Sequence, residues 1–295
     1  MAQAQANGIT IEYETHGDGE PLLLVMGLSG QLVSWPPGFV EGLAGRGFRV
    51  IIFDNRDIGL STKMPSAPLS TYRLFAGLFS PKRIRTDYQL SDMASDAVGL
   101  LDALGIDAAH VVGVSMGGMI GQCIAIDHPT RIHSLTSIMS TTGNRRVGRP
   151  ATRLIWKLPR LTRVTRGTAV EKGVELFRLI SGSSFDEREA RELARAALER
   201  SFCPDGVRRQ TAAIFASPDR TDMLRSVAAP TLVVHGLEDS LVGPSGGIAT
   251  VKAIPLARLV MFPEMGHNLP RQRFSELFDE IAANTRRSTP GVVAG

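Results

Sequence analysis

Two rhythms of apolar and polar residues run through the chain. In the first, short runs rich in Val, Ile and Leu are cut off by Gly, Pro or charged residues, the pattern of strands buried on both faces. Such runs fall at 21–26, 48–53, 109–114, 132–139, 231–235 and 258–262. In the second, apolar residues recur every three or four positions, as on the buried stripe of a helix. This spacing predicts helices at 37–44, from Ser91 through Met93, Ala97, Leu100, Leu101 and Leu104, at 116–126, and at 274–283. Gly105 is placed to close the second of these in a left-handed conformation. Ahead of them all, Ile9, Ile11 and Tyr13 alternate with polar neighbours, as in a half-exposed strand. Strands taking turns with helices predict an α/β fold, with a mostly parallel, doubly wound sheet and helices on both faces. Ligands of such sheets bind beyond the carboxyl ends of the strands, marked here by Met26, Phe53, Val114 and Met139.

A long connection through Pro65, Pro68 and Pro81 is one break in this rhythm, and the stretch from Asn144 to Asp222 is a longer one. In the latter, Arg145, Arg146, Arg149, Arg153, Lys157, Arg160, Arg163 and Arg166 crowd together around Leu154, Ile155, Trp156, Leu158, Leu161 and Val164. Further on, 186–200 reads as a well-charged helix. The stretch is read as a helical cap insertion, residues 144–222, in a core built from 1–143 and 223–295. Its basic front half fits either a membrane-surface helix or the solvated face of a packed one. Pro150 and Pro159 leave room only for a short helix, which favours the solvated face. Nucleic-acid binding has charge behind it but no motif.

Composition adds little to this picture. With 295 residues, 43% hydrophobic and 21% charged, the chain suits one large α/β domain or a domain with an insertion. Its net charge of +4 is mildly basic. Two cysteines, Cys123 and Cys203, make neither a disulfide framework nor a zinc pattern, and Cys123 falls on a helix as a buried filler. The first residues have no basic start followed by an apolar run, so a cytoplasmic location is expected. Residues 288–295 read as a frayed tail.

The candidate chemistry sits where the apolar run 109–114 meets the helix that follows. Gly113-Val114-Ser115-Met116-Gly117 is a G-x-S-x-G between a strand and a helix, the context in which that pattern carries meaning. Turning from strand to helix with almost no loop strains the central residue and lifts its side chain above the sheet. The flanking residues then approach too closely for side chains, a demand that Gly113, Gly117 and Gly118 meet. Ser115 is left at a helix start, where free N–H groups favour developing negative charge. A serine hydroxyl needs a base, and the base needs a group to fix its tautomer. His267 lies in the loop after the last strand, at the same end of the sheet as Ser115, whereas His16, His110, His128 and His133 do not lie at a carboxyl end. His235, at the end of a core strand, reads as a packing residue. Asp239 follows the 231–235 strand as the candidate acid, with Glu238 beside it as its competitor.

The order Ser115, Asp239, His267 and the segments GVSMGG at 113–118, HGLED at 235–239 and GHNLP at 266–270 resemble the α/β-hydrolase superfamily. LLLVMG at 22–27 and FDNRDIGLS at 53–61 extend the resemblance, which is similar in detail to bacterial carboxylesterases of the aclacinomycin methylesterase group. The resemblance implies a Ser115–His267–Asp239 triad, with the backbone N–H groups of Leu28 and Met116 as the oxyanion hole. Met26 stands where these enzymes usually carry His, which removes a side chain that normally stiffens the loop. A nucleophilic Ser rather than Asp separates the chain from the haloalkane dehalogenase and epoxide hydrolase branches. The expected activity is cleavage of a small-molecule carboxylic ester through an acyl-enzyme, with no metal or organic cofactor. Trp35 near the oxyanion loop, with Leu, Phe and Met of the insertion, points to an apolar acyl or alcohol pocket. A lactonase or cofactor-free perhydrolase would use the same triad. A non-catalytic binding protein on this fold would usually have a damaged one.

Overall fold

The computed structural model describes residues 1–70, 73, 74, 84, 86–157 and 164–288. Pro81, the tail beyond 288, and Leu158, Pro159, Arg160, Leu161 and Arg163 of the basic stretch lie outside these described residues. The strands are β1 (Ala2–Ala6), β2 (Ile9–His16), β3 (Glu20–Val25), β4 (Phe48–Phe53), β5 (Ala109–Val114), β6 (Ile132–Ile138), β7 (Thr231–Gly236) and β8 (Arg258–Phe262). They form one eight-stranded sheet in the order β1-β2-β4-β3-β5-β6-β7-β8. Pairing is parallel from β4 to β8 and antiparallel for β1 with β2 and β2 with β4. The helices packed on the sheet are α1 (Phe39–Ala44), α2 (Leu90–Ala103), α3 (Met116–Asp127), α8 (Ser245–Ala253) and α9 (Phe274–Arg286). Between β6 and β7 come α4 (Thr152–Ile155), α5 (Ala169–Ile180), α6 (Glu187–Arg200) and α7 (Pro204–Ala216).

The two-residue period of a strand explains why both faces are apolar. In β3, Leu23 and Val25 pack with Ala97, Leu101 and Ile120 of α2 and α3. Leu22 and Leu24 turn the other way and pack with Phe39, Phe278 and Ile281 of α1 and α9. Every residue of β5 is buried, so the strand that delivers the Ser115 turn is covered on both sides. Truncating one such side chain, as in Ile51→Ala, costs about 2–5 kcal/mol in cores of this kind. Cys123 is one of these packed side chains, and burial pushes its thiol pKa up.

Two features differ from the expectation. The first five-residue strand, Ala2–Ala6, was not foreseen because its alternation is of Ala with Gln, which carries no hydrophobic contrast. It pairs with β2 through Asn7-Gly8, both with positive φ (48° and 78°), as a two-residue hairpin turn requires. His16, not expected at a strand's carboxyl end, closes β2, but β2 runs antiparallel to β4, so this end of it faces away from the Ser115 rim. Among the described residues no helix is long and apolar enough to cross a membrane.

Candidate active site

At the end of β5 the backbone of Ser115 takes φ +55°, ψ −118°, outside the regions that L residues favour. The surroundings enforce this. A Cβ on Gly113 would lie 2.2 Å from the Gly117 carbonyl oxygen, and one on Gly117 would lie 1.9 Å from that of Val25. One on Gly118 would meet Ser140 Cβ at 2.7 Å. The Ser115 N–H donates to Ile138 O at 2.9 Å and its carbonyl accepts from Ser140 Oγ at 2.8 Å, tying the turn to β6. The result is a half-buried Ser115 at the head of α3.

Asp239 and His267 arrive on two loops that are zipped together. Leu237 N–H donates to Phe262 O and Glu238 N–H to Met265 O, both at 3.0 Å, and a Cβ on Gly236 would lie 2.0 Å from Met265 O. His267 is further pinned by its own N–H, which donates to Ile180 O at the end of α5, 2.7 Å away. His267 Nδ1 donates to Asp239 Oδ2 at 2.7 Å, which leaves Nε2 to accept from Ser115 Oγ at 2.9 Å. The structure therefore brings Ser115, His267 and Asp239 into one hydrogen-bonded chain. Glu238, the competing carboxylate, turns outward and accepts from the Ser183 N–H.

Asp239 is 5% exposed, and burial works against its charge. His267 beside it, hydrogen bonds from His235 and His267, and the Val242 N–H outweigh that and hold its pKa well below the usual carboxylate range. Its Oδ1 accepts from Leu241 N–H at 2.9 Å and Val242 N–H at 2.8 Å. His235 is fully buried; its Nε2 meets Val242 O at 2.7 Å and lies 3.5 Å from Asp239 Oδ2. It packs, as expected, but it also belongs to the carboxylate's surroundings.

The two candidate oxyanion donors sit on the loop after β3 and at the start of α3. Met116 opens α3, and the Gly118 and Met119 N–H groups already donate to Ser115 O. Leu28 lies in the 27–30 turn closed by Gly30 N–H to Gly27 O at 3.2 Å. A Cβ on Gly27 would lie 3.2 Å from Ser115 Cβ, so the loop passes in tight contact with the serine.

Trp35 lies in the core. It is 5% exposed and stacks on Phe39 with ring centroids 5.2 Å apart, within the cluster that Phe39 shares with Phe274 and Phe278.

A polar network around the loop after β4 was not foreseen. Asp54 accepts from Leu32 N–H at 2.7 Å and pairs with Arg200 of α6 at 2.6 Å. Asp57 pairs with Arg209 of α7 at 2.7 Å and accepts from Tyr88 Oη, also at 2.7 Å. Arg56 and Asp96 form a third buried pair. The signal was present as a polar run, Asp54-Asn55-Arg56-Asp57, directly after a buried strand. Its partners lie between 22 residues upstream and 152 residues downstream, on elements that no local pattern links to it.

A doubly wound sheet with a strained serine beside a histidine and a carboxylate at its carboxyl rim defines a hydrolase, and comparisons agree. Residues 20–171 match the alpha/beta hydrolase fold family, so the chain belongs to that family as an esterase-type hydrolase. It is 31% identical to rhodomycin D methylesterase DauP of Streptomyces sp. (strain C5), with 95% of this chain and 96% of that one covered. Among solved structures it is similar to the enol-lactonase of Burkholderia xenovorans LB400, at TM-score 0.75 and 22% identity, covering 97% and 100% of the two chains. A thermophilic esterase of Thermogutta terrifontis aligns at TM-score 0.74 and 24% identity, covering 97% and 98%.

Proposed function

We propose that the protein hydrolyses a small-molecule carboxylic ester through a Ser115–His267–Asp239 triad and an acyl-enzyme. The observation that carries this reading is the unbroken chain of bonds from Asp239 through His267 to a serine held at positive φ. His267 Nε2 takes the Ser115 proton as Oγ attacks the ester carbonyl carbon, and Asp239 stabilises the imidazolium without taking the proton. The Leu28 and Met116 N–H groups bind the oxygen that becomes negative. The tetrahedral intermediate collapses with loss of the alkoxide, which takes its proton from His267. Water, deprotonated by His267, then attacks the acyl-Ser115 ester, and the second intermediate collapses to release the acid as His267 returns the proton to Ser115 Oγ. Every step uses side chains and backbone of this chain.

Helices α4–α7 serve in this reading as a cap, residues 144–222, seated on a core of 1–143 and 223–295. Its contacts with His267, Gln31 and Asp54 support that arrangement. The similarity to a rhodomycin D methylesterase across nearly the whole chain favours a methyl or other small alkyl ester of a larger acid.

The test is labelling with a fluorophosphonate probe together with a panel of p-nitrophenyl esters, methyl esters and lactones. Wild-type protein labels at Ser115 and turns over linear esters. Ser115→Ala abolishes both with an unchanged circular dichroism spectrum. Esterase activity retained in Ser115→Ala would remove Ser115 from its role, and turnover confined to lactones would make the protein a lactonase.

A further inference from the structure

The loop that carries Leu28 has no hydrogen-bonding side chain of its own at Met26, and at Ser29 its backbone is in a left-handed conformation, φ +67°. A non-glycine residue there is strained and persists only where surroundings over-determine it. The three successive peptide groups around Leu28 are each held. Met26 O accepts from Asn55 Nδ2 at 3.0 Å. Gly27 O, on the same peptide as the Leu28 N–H, accepts from Gly30 N–H at 3.2 Å. Ser29 N–H, on the next peptide, donates to Gln210 Oε1 at 3.1 Å.

Gln210 belongs to α7, 181 residues further along the chain, and is fully buried. Its other end is occupied too, because Nε2 donates to Arg56 O at 2.8 Å. The carboxamide therefore spans from the loop after β4 to the loop after β3. It cannot swing away with α7, since the neighbouring Arg209 is paired with buried Asp57. A Cβ on Gly206, one turn earlier, would also lie 2.0 Å from Asp57 O.

We propose that Gln210 is a positioning residue for the oxyanion hole: its carboxamide fixes the Leu28–Ser29 peptide and with it the direction of the Leu28 N–H. The inference rests on the reading of Leu28 as an oxyanion donor. It gives α7 a part in transition-state stabilisation rather than only in covering the substrate. Losing this bond leaves Ser29 free to relax toward negative φ, which rotates the peptide next to the donor. A misplacement of about 1 Å at such a site costs on the order of a hundredfold in rate.

The experiment compares the wild type with Gln210→Met, Gln210→Asn and Gln210→Glu, using p-nitrophenyl ester kinetics and two inhibitors. One is a trifluoromethyl ketone, which adds to Ser115 and forms an oxyanion; the other is the carboxylic acid product, which forms none. Gln210→Met is expected to lower kcat about ten- to a hundredfold with KM within about twofold. Ketone affinity is expected to fall in step with kcat, while product affinity stays put. Gln210→Glu keeps an acceptor for Ser29 and recovers part of the loss. Should Gln210→Met not fold, Gln210→Asn carries the same comparison, its carboxamide being one methylene too short to span both bonds. The inference is overturned if kcat of the folded variant stays within about twofold of wild type, or if ketone and product affinities fall together. A wild type that neither turns over esters nor labels at Ser115 takes the active-site reading down as well. A wild type that does both beside unaffected Gln210 variants sinks this inference alone.

Discussion

Ser115, Ser29 and Asp57 all sit at positive φ, at 55°, 67° and 74°, and all lie at or next to the carboxyl rim of the sheet. Backbone strain gathered in one place is characteristic of a site whose geometry the rest of the fold maintains. Asp239 is maintained in another way, by donors. Buried yet held well below the usual carboxylate range, it stays ionised wherever His267 needs a partner. Asp239→Asn is expected to lower kcat by about 10⁴, since an amide in place of the carboxylate favours the wrong His267 tautomer. The same substitution makes a stability prediction whose sign follows from the depressed pKa. The carboxylate contributes stability above the unfolded-chain value of about 3.9, and this is lost as pH falls below it toward the folded-state value. The urea-midpoint difference between wild type and Asp239→Asn should therefore be largest at pH 6 and narrow as the pH is lowered to 2.5. A gap of the same size at both pH values would assign the stability to packing instead of charge.

Among the elements, α6 and α7 are fastened to the sheet by polar bonds. Gln31 Nε2 donates to Ala197 O and Ser201 O at 2.8 and 2.9 Å, and Arg200 and Arg209 reach buried carboxylates. A buried ion pair adds little net stability when formed, yet breaking one side leaves a stranded charge. Asp57→Asn is expected to destabilise the protein by about 3–5 kcal/mol, because Arg209 remains buried beside a neutral amide. The exposed pair Arg188–Glu192 on the outer face of α6 is the contrast. Arg188→Ala should leave the urea midpoint where it was. Equal losses in the two variants would mean that burial is not what sets the cost.

For the whole molecule, these fastenings imply that the helices between β6 and β7 unfold together with the sheet. The two tryptophans allow a check, Trp35 being 5% exposed in the core and Trp156 being 77% exposed just after α4. In Trp156→Phe, fluorescence reports the core alone, and its urea transition should coincide with the helical signal at 222 nm. A helical transition at lower urea than the Trp35 transition would show that the two parts separate. Arg149, Arg153 and Lys157 are exposed around Trp156, while Leu154 is buried, in keeping with a solvated basic face on a packed segment.

Short apolar runs at β3 to β8, of which the edge strand β8 proves only partly buried, and helical spacing at α2, α3 and α9 were legible from residue types alone, because burying an apolar face demands a period of two or of three to four. The turn at Ser115 was equally legible, since only glycine tolerates carbonyl oxygens within about 2 Å of where a Cβ would be. Proximity of Ser115, Asp239 and His267 could be anticipated from their shared place past strand ends. Tertiary structure added that Asp239, already the candidate acid in sequence, meets His267 Nδ1, whereas the adjacent Glu238 turns to the Ser183 N–H. It alone moved Trp35 into the core and brought Gln210, Arg209 and Arg200 to loops some 150 to 180 residues away. Local pattern reports which face of an element is apolar; partners for a polar side chain far along the chain exist only once the elements have packed.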